Sequence, residues 1–158
     1  MHEPRLDHVH ALDPAGLHRM AYWEWGARDN PRVVVCVHGL TRQGRDFDTL
    51  ARALAPDCRV ICPDVVGRGR SDWLADPMGY QIPTYVADMV ALLARLGVPQ
   101  VDWVGTSMGG LIGLGLAALR DRDGATMVRR LLLNDVGPSI RAEAIQRIGA
   151  YVGQPKRY

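Results

Sequence analysis

Several features that would point to a macromolecular or membrane partner are absent from this sequence. Its 19 lysine and arginine residues nearly balance 17 aspartate and glutamate residues, giving a net charge of +2 with no basic block. This charge distribution does not indicate a nucleic-acid partner. No stretch approaches the roughly 18 consecutive apolar residues of a membrane helix, and no apolar run follows a basic start. We therefore expect a cytoplasmic protein that acts on a small molecule, with no nucleic-acid partner and no membrane association.

Cysteines and metal-binding patterns are also scarce. The three cysteines, Cys36, Cys58 and Cys62, are odd in number and lie in or beside stretches that predict buried strands. This arrangement favours reduced core thiols over a disulfide framework. His8 and His10 would share one face of a strand, but no third ligand stands at a useful spacing. We expect neither a metal nor a cofactor.

The apolar patterns that are present alternate between strands and helices. A continuous run at Val33–Val37 predicts a strand covered on both faces, and the shorter apolar patterns of Arg59–Cys62, Val101–Val104 and Val128–Asn134 predict further buried strands. The residues from Pro83 to Leu96 predict an amphipathic helix that ends at Gly97. A helix between two such strands serves as a crossover, so the strands run parallel. The fold class is therefore predicted to be α/β, with a mostly parallel sheet and helices on both faces.

Three weaker patterns complete the assignment of elements. Alternating apolar residues from His18 to Gly26 predict a half-buried strand in an antiparallel hairpin, and the residues before Pro14 predict a surface strand or a loose arm. Apolar residues from Phe47 to Leu54 recur at helical spacing, with Asp46 as the expected N-cap. The spacing from Ala142 to Tyr151 predicts a last helix with an apolar stripe.

The stretch from Val101 to Ile112 carries the strongest functional signal. A short strand leads into Gly105-Thr106-Ser107-Met108-Gly109 and then into a helix of small residues. A serine exposed on a sharp strand-to-helix turn has a strained backbone, so its near neighbours need to be almost free of side chains. Gly105 and Gly109 meet that need. Ser107 is therefore the predicted nucleophile.

The helix after Ser107 is unusually rich in glycine. Gly109, Gly110, Gly113 and Gly115 would each cost an isolated helix up to about 1 kcal/mol relative to alanine. We expect close packing on the sheet to compensate for this cost. Such packing would also let the positive end of the helix dipole face a negative charge near Ser107.

These motifs together resemble the α/β-hydrolase superfamily, in its serine hydrolase branch. The resemblance extends from about Arg19 to Pro138 and rests on four stretches in the expected order, namely Val33–Thr41, Pro63–Asp72, Val101–Ile112 and Leu131–Pro138. It implies that the amides of Leu40 and Met108 form an oxyanion hole, with Gly39 in the same loop. His38 is expected to hold that loop by hydrogen bonds, the alternative being a general base. Asp135 is a candidate for the catalytic acid, or it braces the turn at Gly137 and Pro138.

The glycine-rich loop after the Arg59–Cys62 strand permits a second interpretation. Gly67-x-Gly69 could hold the phosphates of a dinucleotide, as glycine-rich turns after strands do. Asp72 stands where that fingerprint needs its third glycine, and Pro77 and Gly79 interrupt any helix that could open there. We therefore interpret this loop as a structural turn.

Histidine is missing from the whole of the chain after His38. A serine nucleophile needs an adjacent base, and in the family that histidine follows the nucleophile and the acid along the chain. We therefore expect residues 1–138 to form an incomplete α/β-hydrolase core, truncated after about the sixth strand, and residues 139–158 to begin a cap over the site. An open sheet edge of this kind would favour self-association.

The leading functional hypothesis is a hydrolase that forms an acyl-enzyme on Ser107 with an ester or a related carbonyl compound. Two alternatives remain open. The chain could belong to a hydrolase that cleaves carbon–carbon bonds of ring-fission products, because such enzymes use a similar serine turn. It could also be a truncated, catalytically silent relative that binds a ligand or a partner, since the histidine is missing. The identity of the substrate lies beyond the sequence.

Overall fold

A single six-stranded sheet organises the fold. In the computed structural model, the described residues are 3–136 together with the isolated helical positions 143 and 146, so the predicted cap and last helix lie outside the described range. The strands are β1 (Arg5–Asp13), β2 (Gly16–Trp25), β3 (Val33–Val37), β4 (Arg59–Pro63), β5 (Val101–Thr106) and β6 (Val128–Asn134). The helices are α1 (Asp48–Leu54), α2 (Ile82–Leu96) and α3 (Met108–Ala118).

The strand order in the sheet is β1-β2-β4-β3-β5-β6. Strands β1 and β2 form an antiparallel hairpin, and β2 pairs antiparallel with β4. The remaining pairs, β3 with β4, β3 with β5 and β5 with β6, are all parallel. The predicted mostly parallel α/β sheet and the predicted hairpin are therefore confirmed, and the N-terminal residues form a full strand instead of a loose arm.

The core is built around the central strand and the long crossover helix. All five residues of β3 are buried, as a strand covered on both faces requires. Helix α2 buries an apolar stripe that includes Met89, Leu92 and Leu96, and it ends at Gly97 in the left-handed conformation. At this position the Gly97 amide donates to the carbonyls of Leu93 and Ala94, which caps the helix.

Two local predictions are wrong, and both failures come from contacts that the local residue pattern does not contain. Asp46 does not cap α1, because a short 3-10 turn over Gly44–Phe47 comes first and the Asp46 carboxylate accepts from the Arg42 guanidinium at 2.5 Å instead. Strand β6 is not buried, because it is the outermost strand of the sheet among the described residues. Its Leu132 is 56% exposed.

A buried polar cluster connects the hairpin to α2, and no sequence pattern indicates it. The His18 imidazole lies between two carboxylates, with Nδ1 2.9 Å from Asp13 and Nε2 2.9 Å from Asp88. Burial raises the pKa of the Asp88 carboxyl above its usual value. The cluster joins α2 to the end of the hairpin, and α2 in turn supports the loop that precedes β5.

The remaining composition-based expectations concern cysteines and membrane helices. All three cysteines are buried and unpaired, which confirms the expected reduced core thiols. Within the described part of the chain, none of the helices is both long enough and apolar enough to cross a bilayer.

Candidate active site

The candidate site lies where the order of strands in the sheet reverses. The chain passes from β3 to β4 on one side, and then crosses over to place β5 on the other side of β3. In open α/β sheets such a reversal creates a crevice at the carboxyl ends of the strands, and ligands bind there. The two loops that border this crevice begin at His38, after β3, and at Ser107, after β5.

Ser107 occupies the turn between β5 and α3 in a conformation that L-residues rarely adopt. Its backbone angles are φ 50° and ψ −115°, and it is one of two non-glycine residues with positive φ among those described. Strain of this kind costs about 1–3 kcal/mol and persists only where the surrounding structure enforces it. In this turn the Ser107 amide donates to the Asn134 carbonyl at 2.9 Å, and the Ser107 carbonyl accepts from the Gly110 amide at 2.9 Å.

The neighbours of Ser107 leave no space for side chains, as predicted. A Cβ atom on Gly105 would stand 2.5 Å from the Gly109 carbonyl oxygen, and one on Gly109 would collide with the Val37 carbonyl oxygen. The later glycines of α3 also face close neighbours, which are the side chains of Leu133 and Val136 at Gly110, Trp103 at Gly113 and Val86 at Gly115. The close packing expected for this glycine-rich helix is therefore confirmed.

The loop after β3 lies against Ser107 and is held by His38. The Val65 amide donates to His38 Nε2 at 2.9 Å, so the ring proton is on Nδ1, which donates to the Gly39 carbonyl at 2.7 Å. That carbonyl belongs to the same peptide group as the Leu40 amide, so this hydrogen bond fixes the direction of the Leu40 N–H. With both ring nitrogens engaged and the side chain 1% exposed, His38 is a structural group and not a free base.

Burial lowers the pKa of His38 below the usual histidine value of about 6.5. As the pH falls, the unfolded chain therefore binds a proton at this histidine before the folded protein does. The stability that the neutral, buried His38 contributes is fully present above pH 6.5, and it is lost as the pH falls through the lower pKa of the folded protein. We expect the free energy of unfolding to fall with a slope of up to about 1.4 kcal/mol per pH unit in this window.

Urea unfolding of the protein between pH 8 and pH 5 measures this slope. The variant His38→Asn should lose this contribution to the pH dependence, whereas His10→Asn, at an exposed position, should keep it. Equal slopes in both variants would show that His38 is not the source of this pH dependence.

Two backbone amides in the segments beside Ser107 have no hydrogen-bond partner among the described residues. The position that a Cβ atom on Gly39 would take is only 3.6 Å from Ser107 Cβ, so the β3 loop lies against Ser107. Among residues 3–136, the amides of Leu40 and Met108 donate no hydrogen bond. The Met108 amide is also one of the unpaired donors at the N-terminus of α3, where the helix dipole favours negative charge. This geometry suits the stabilisation of a carbonyl oxygen that becomes negative.

Asp135 stands at the end of β6, one residue after the carbonyl that accepts from Ser107. Its φ of +57° turns the chain sharply, and its side chain is exposed. Within the described residues its carboxylate forms no hydrogen bond, while Gly137 and Pro138, the turn that it was proposed to brace, lie outside them. No histidine of the described chain hydrogen-bonds to Ser107.

The loop after β4 wraps around a carboxylate that the sequence did not single out. Asp64 is fully buried, and its two oxygens accept from the amides of Gly44 at 2.7 Å and Arg70 at 2.8 Å. A Cβ atom on Gly69 would collide with this same carboxylate. The interior of the loop is thus already filled by a side chain of the protein, and the first α-helix after β4 begins only at Ile82. This arrangement supports the structural interpretation over a dinucleotide site.

Arg68, in the same loop, was also missed, because nothing in its sequence surroundings distinguishes it from an exposed arginine. Its guanidinium is half-buried and contacts both Leu40 and Met108.

In the part of the chain that is described, no group of three or more histidine, cysteine or carboxylate side chains is placed to hold a metal ion. The rings of His8 and His10 pack edge to face, with centroids 5.3 Å apart.

Comparisons with known proteins agree with this geometry. The family described as "alpha/beta hydrolase fold" matches residues 32–154. A "3-hydroxybutyrate-oligomer hydrolase" from Cupriavidus necator is 64% identical over 155 residues, which cover 98% of this chain and 52% of that protein. "Lipase LipV" from Mycobacterium tuberculosis is 38% identical over 98 residues, or 62% of this chain and 36% of that protein. The crystal structure of an α/β hydrolase from Novosphingobium aromaticivorans has a TM-score of 0.83 and 41% identity, covering 98% of this chain and 52% of that one.

Proposed function

Because this chain belongs to the α/β-hydrolase family, we propose that it supplies the nucleophile and the oxyanion hole of a hydrolase that cleaves an ester through an acyl-enzyme on Ser107. The observation that carries this proposal is the strained turn at Ser107, with the free amides of Leu40 and Met108 beside it. The chain spans about half the length of the hydrolase that matches it over 98% of its residues, so the activity is proposed for the complete gene product.

The proposed reaction has two steps. Ser107 Oγ attacks the ester carbonyl carbon, and the amides of Leu40 and Met108 donate to the oxygen as it becomes negative. Each such donor is worth about 2.7–4 kcal/mol of transition-state stabilisation. The carbon–oxygen bond to the leaving alcohol then breaks, and the alcohol receives the serine proton through a general base. Water attacks the acyl group in the second step and releases the acid, while the proton returns to Ser107.

The general base is not His38, because both of its ring nitrogens are already engaged. We assign this role to a histidine of the complete gene product that lies outside these 158 residues. Asp135 is our candidate for the carboxylate that orients that histidine, because it stands at the same sheet edge as Ser107 and its side chain is exposed there.

The substrate class that we propose is a short oligoester of a hydroxy acid. The supporting observation is the 64% identity with a 3-hydroxybutyrate-oligomer hydrolase, which includes all the described elements around Ser107. No feature of the described residues favours cleavage of a carbon–carbon bond. The following experiment distinguishes this function from the alternative of a catalytically silent relative.

A serine-directed fluorophosphonate probe tests the proposal on the complete gene product. We expect one equivalent of label on the folded protein, and none on Ser107→Ala. The matched control is Ser71→Ala, because Ser71 is a buried serine away from the site whose hydroxyl donates to the Asp64 carbonyl. Folded protein that takes up no label would contradict the acyl-enzyme proposal and favour a catalytically silent relative.

A further inference from the structure

Arg68 connects four separate pieces of the structure around the site. Its Nε donates to the Leu40 carbonyl at 3.0 Å, and its Nη1 donates to the Val66 carbonyl at 2.9 Å and to the Tyr85 hydroxyl at 3.1 Å. Its Nη2 lies 3.8 Å from Met108 Sδ. The side chain thus contacts its own loop, helix α2, Leu40 and Met108.

We propose that Arg68 is a positioning residue, which holds the two amide donors of the oxyanion hole at a fixed separation. This inference rests on the proposed function of Leu40 and Met108. A guanidinium is a rigid planar fork, so several hydrogen bonds to it fix the relative positions of the groups that it contacts. An exposed arginine would not have this effect, but Arg68 is half-buried and each of its three side-chain nitrogens has a hydrogen-bond partner.

The backbone of Leu40 shows how this contact acts next to the donor. The peptide group before Leu40 is held by His38 through the Gly39 carbonyl at 2.7 Å. The peptide group after Leu40 is held by Arg68 through the Leu40 carbonyl at 3.0 Å. Two side chains from different loops therefore hold both peptide planes that flank the Leu40 Cα atom. Without Arg68, the peptide plane after Leu40 would lose its side-chain contact, and the backbone of Leu40 would be held from the His38 side only.

Two aromatic rings keep the guanidinium in place. The centroids of the Tyr85 and Tyr80 rings lie 5.3 Å and 5.8 Å from the Arg68 Cζ atom, within the range of cation–π attraction. Tyr85 belongs to α2, so the position of Arg68 is tied to the long crossover helix and not to its flexible stem alone. A lysine could retain the charge at this position but could reach only one or two of the acceptors.

The test compares Arg68→Met and Arg68→Lys with Arg70→Met in the complete gene product. Arg70 lies in the same loop, but its side chain is exposed, so this variant is matched in chemistry and location. The readouts are kcat per active site titrated with the fluorophosphonate, KM, and the inhibition constant of a trifluoromethyl ketone, whose hemiketal with the serine places a negative oxygen in the oxyanion hole.

We expect Arg68→Met to lower kcat by about 10- to 100-fold, which is less than the roughly 100- to 1,000-fold effect of deleting a donor outright. KM should stay within about twofold, and binding of the trifluoromethyl ketone should weaken in parallel with kcat. Arg68→Lys should recover part of the loss, and Arg70→Met should behave as the wild type.

Three results would overturn the inference. An unchanged kcat per titrated site in Arg68→Met would show that Arg68 contributes only to packing. A rise in KM alone would indicate a substrate contact instead. A fall in kcat without weaker ketone binding would show that the oxyanion hole is intact. If Ser107→Ala remains active, the proposed function itself fails, and this outcome is distinguished from any result with the Arg68 variants.

Discussion

Ser107→Ala is expected to lower kcat of the complete gene product by about a million-fold, the scale of loss seen when the serine of a serine protease is removed. The alanine cannot form the acyl-enzyme, because no other side chain occupies the turn between β5 and α3. The Leu40 and Met108 amides would remain and could still polarise a bound carbonyl. A residual rate above that of the uncatalysed reaction is therefore also expected.

Steady-state hydrolysis of 3-hydroxybutyrate oligomers, followed by chromatography of the products, measures this effect. Binding of a non-hydrolysable substrate analogue serves as the control, because the substitution removes one oxygen atom and should leave the pocket shape intact. A variant that retains more than about a tenth of the wild-type kcat would show that Ser107 is not the nucleophile, since the smallest triad effect is far larger.

Gly109→Ala is expected to destabilise the protein by about 3 kcal/mol or more, at the upper end of the overpacking range. The added Cβ atom would collide with the Val37 carbonyl oxygen and stand 2.9 Å from the His38 carbonyl oxygen. Both obstacles are backbone atoms at the end of β3, and they cannot rotate aside as a side chain could. Relief would require α3 to move away from the sheet, which would lose its packing and disturb the turn at Ser107.

Urea unfolding provides the measurement, with Gly79→Ala as the matched control. A Cβ atom on Gly79 would meet only the end of the Leu74 side chain at 3.0 Å, and that side chain can adjust. We expect this control to cost less than about 1 kcal/mol, as most surface substitutions do. Similar midpoints for the two variants would contradict the packing described for α3.

The elements that the sequence predicted well are those whose patterns are dictated by local geometry. Val33–Val37 is a β-branched run that needs burial on both faces, and the strand has these same bounds. The turn at Ser107 was predictable because the required absence of side chains appears directly as glycine at 105 and 109. Gly97 marked the end of α2 for the same reason, since its positive φ favours glycine.

The features that the sequence did not reveal depend on contacts between separate segments or side chains. Strand β6 contains the apolar run Leu131–Leu133, but burial is set by what packs against a strand, and this one is outermost in the described sheet. Asp46 had the right residue type for a helix cap, yet the Arg42 guanidinium four residues earlier is its partner. The contacts of Arg68 join residues up to 40 positions apart, and no local pattern encodes them.

The bonds around Ser107 also have a consequence for motion. Ser107 is held by its neighbours in α3, by the Asn134 carbonyl of β6 and by glycines that bring the helix against the strands with no space left between them. A close-packed unit of this kind transmits displacement and does not flex, so it offers no local hinge for closure around a ligand. Any rearrangement that admits or releases a ligand therefore belongs to other segments, and Ser107 stays in place during that rearrangement.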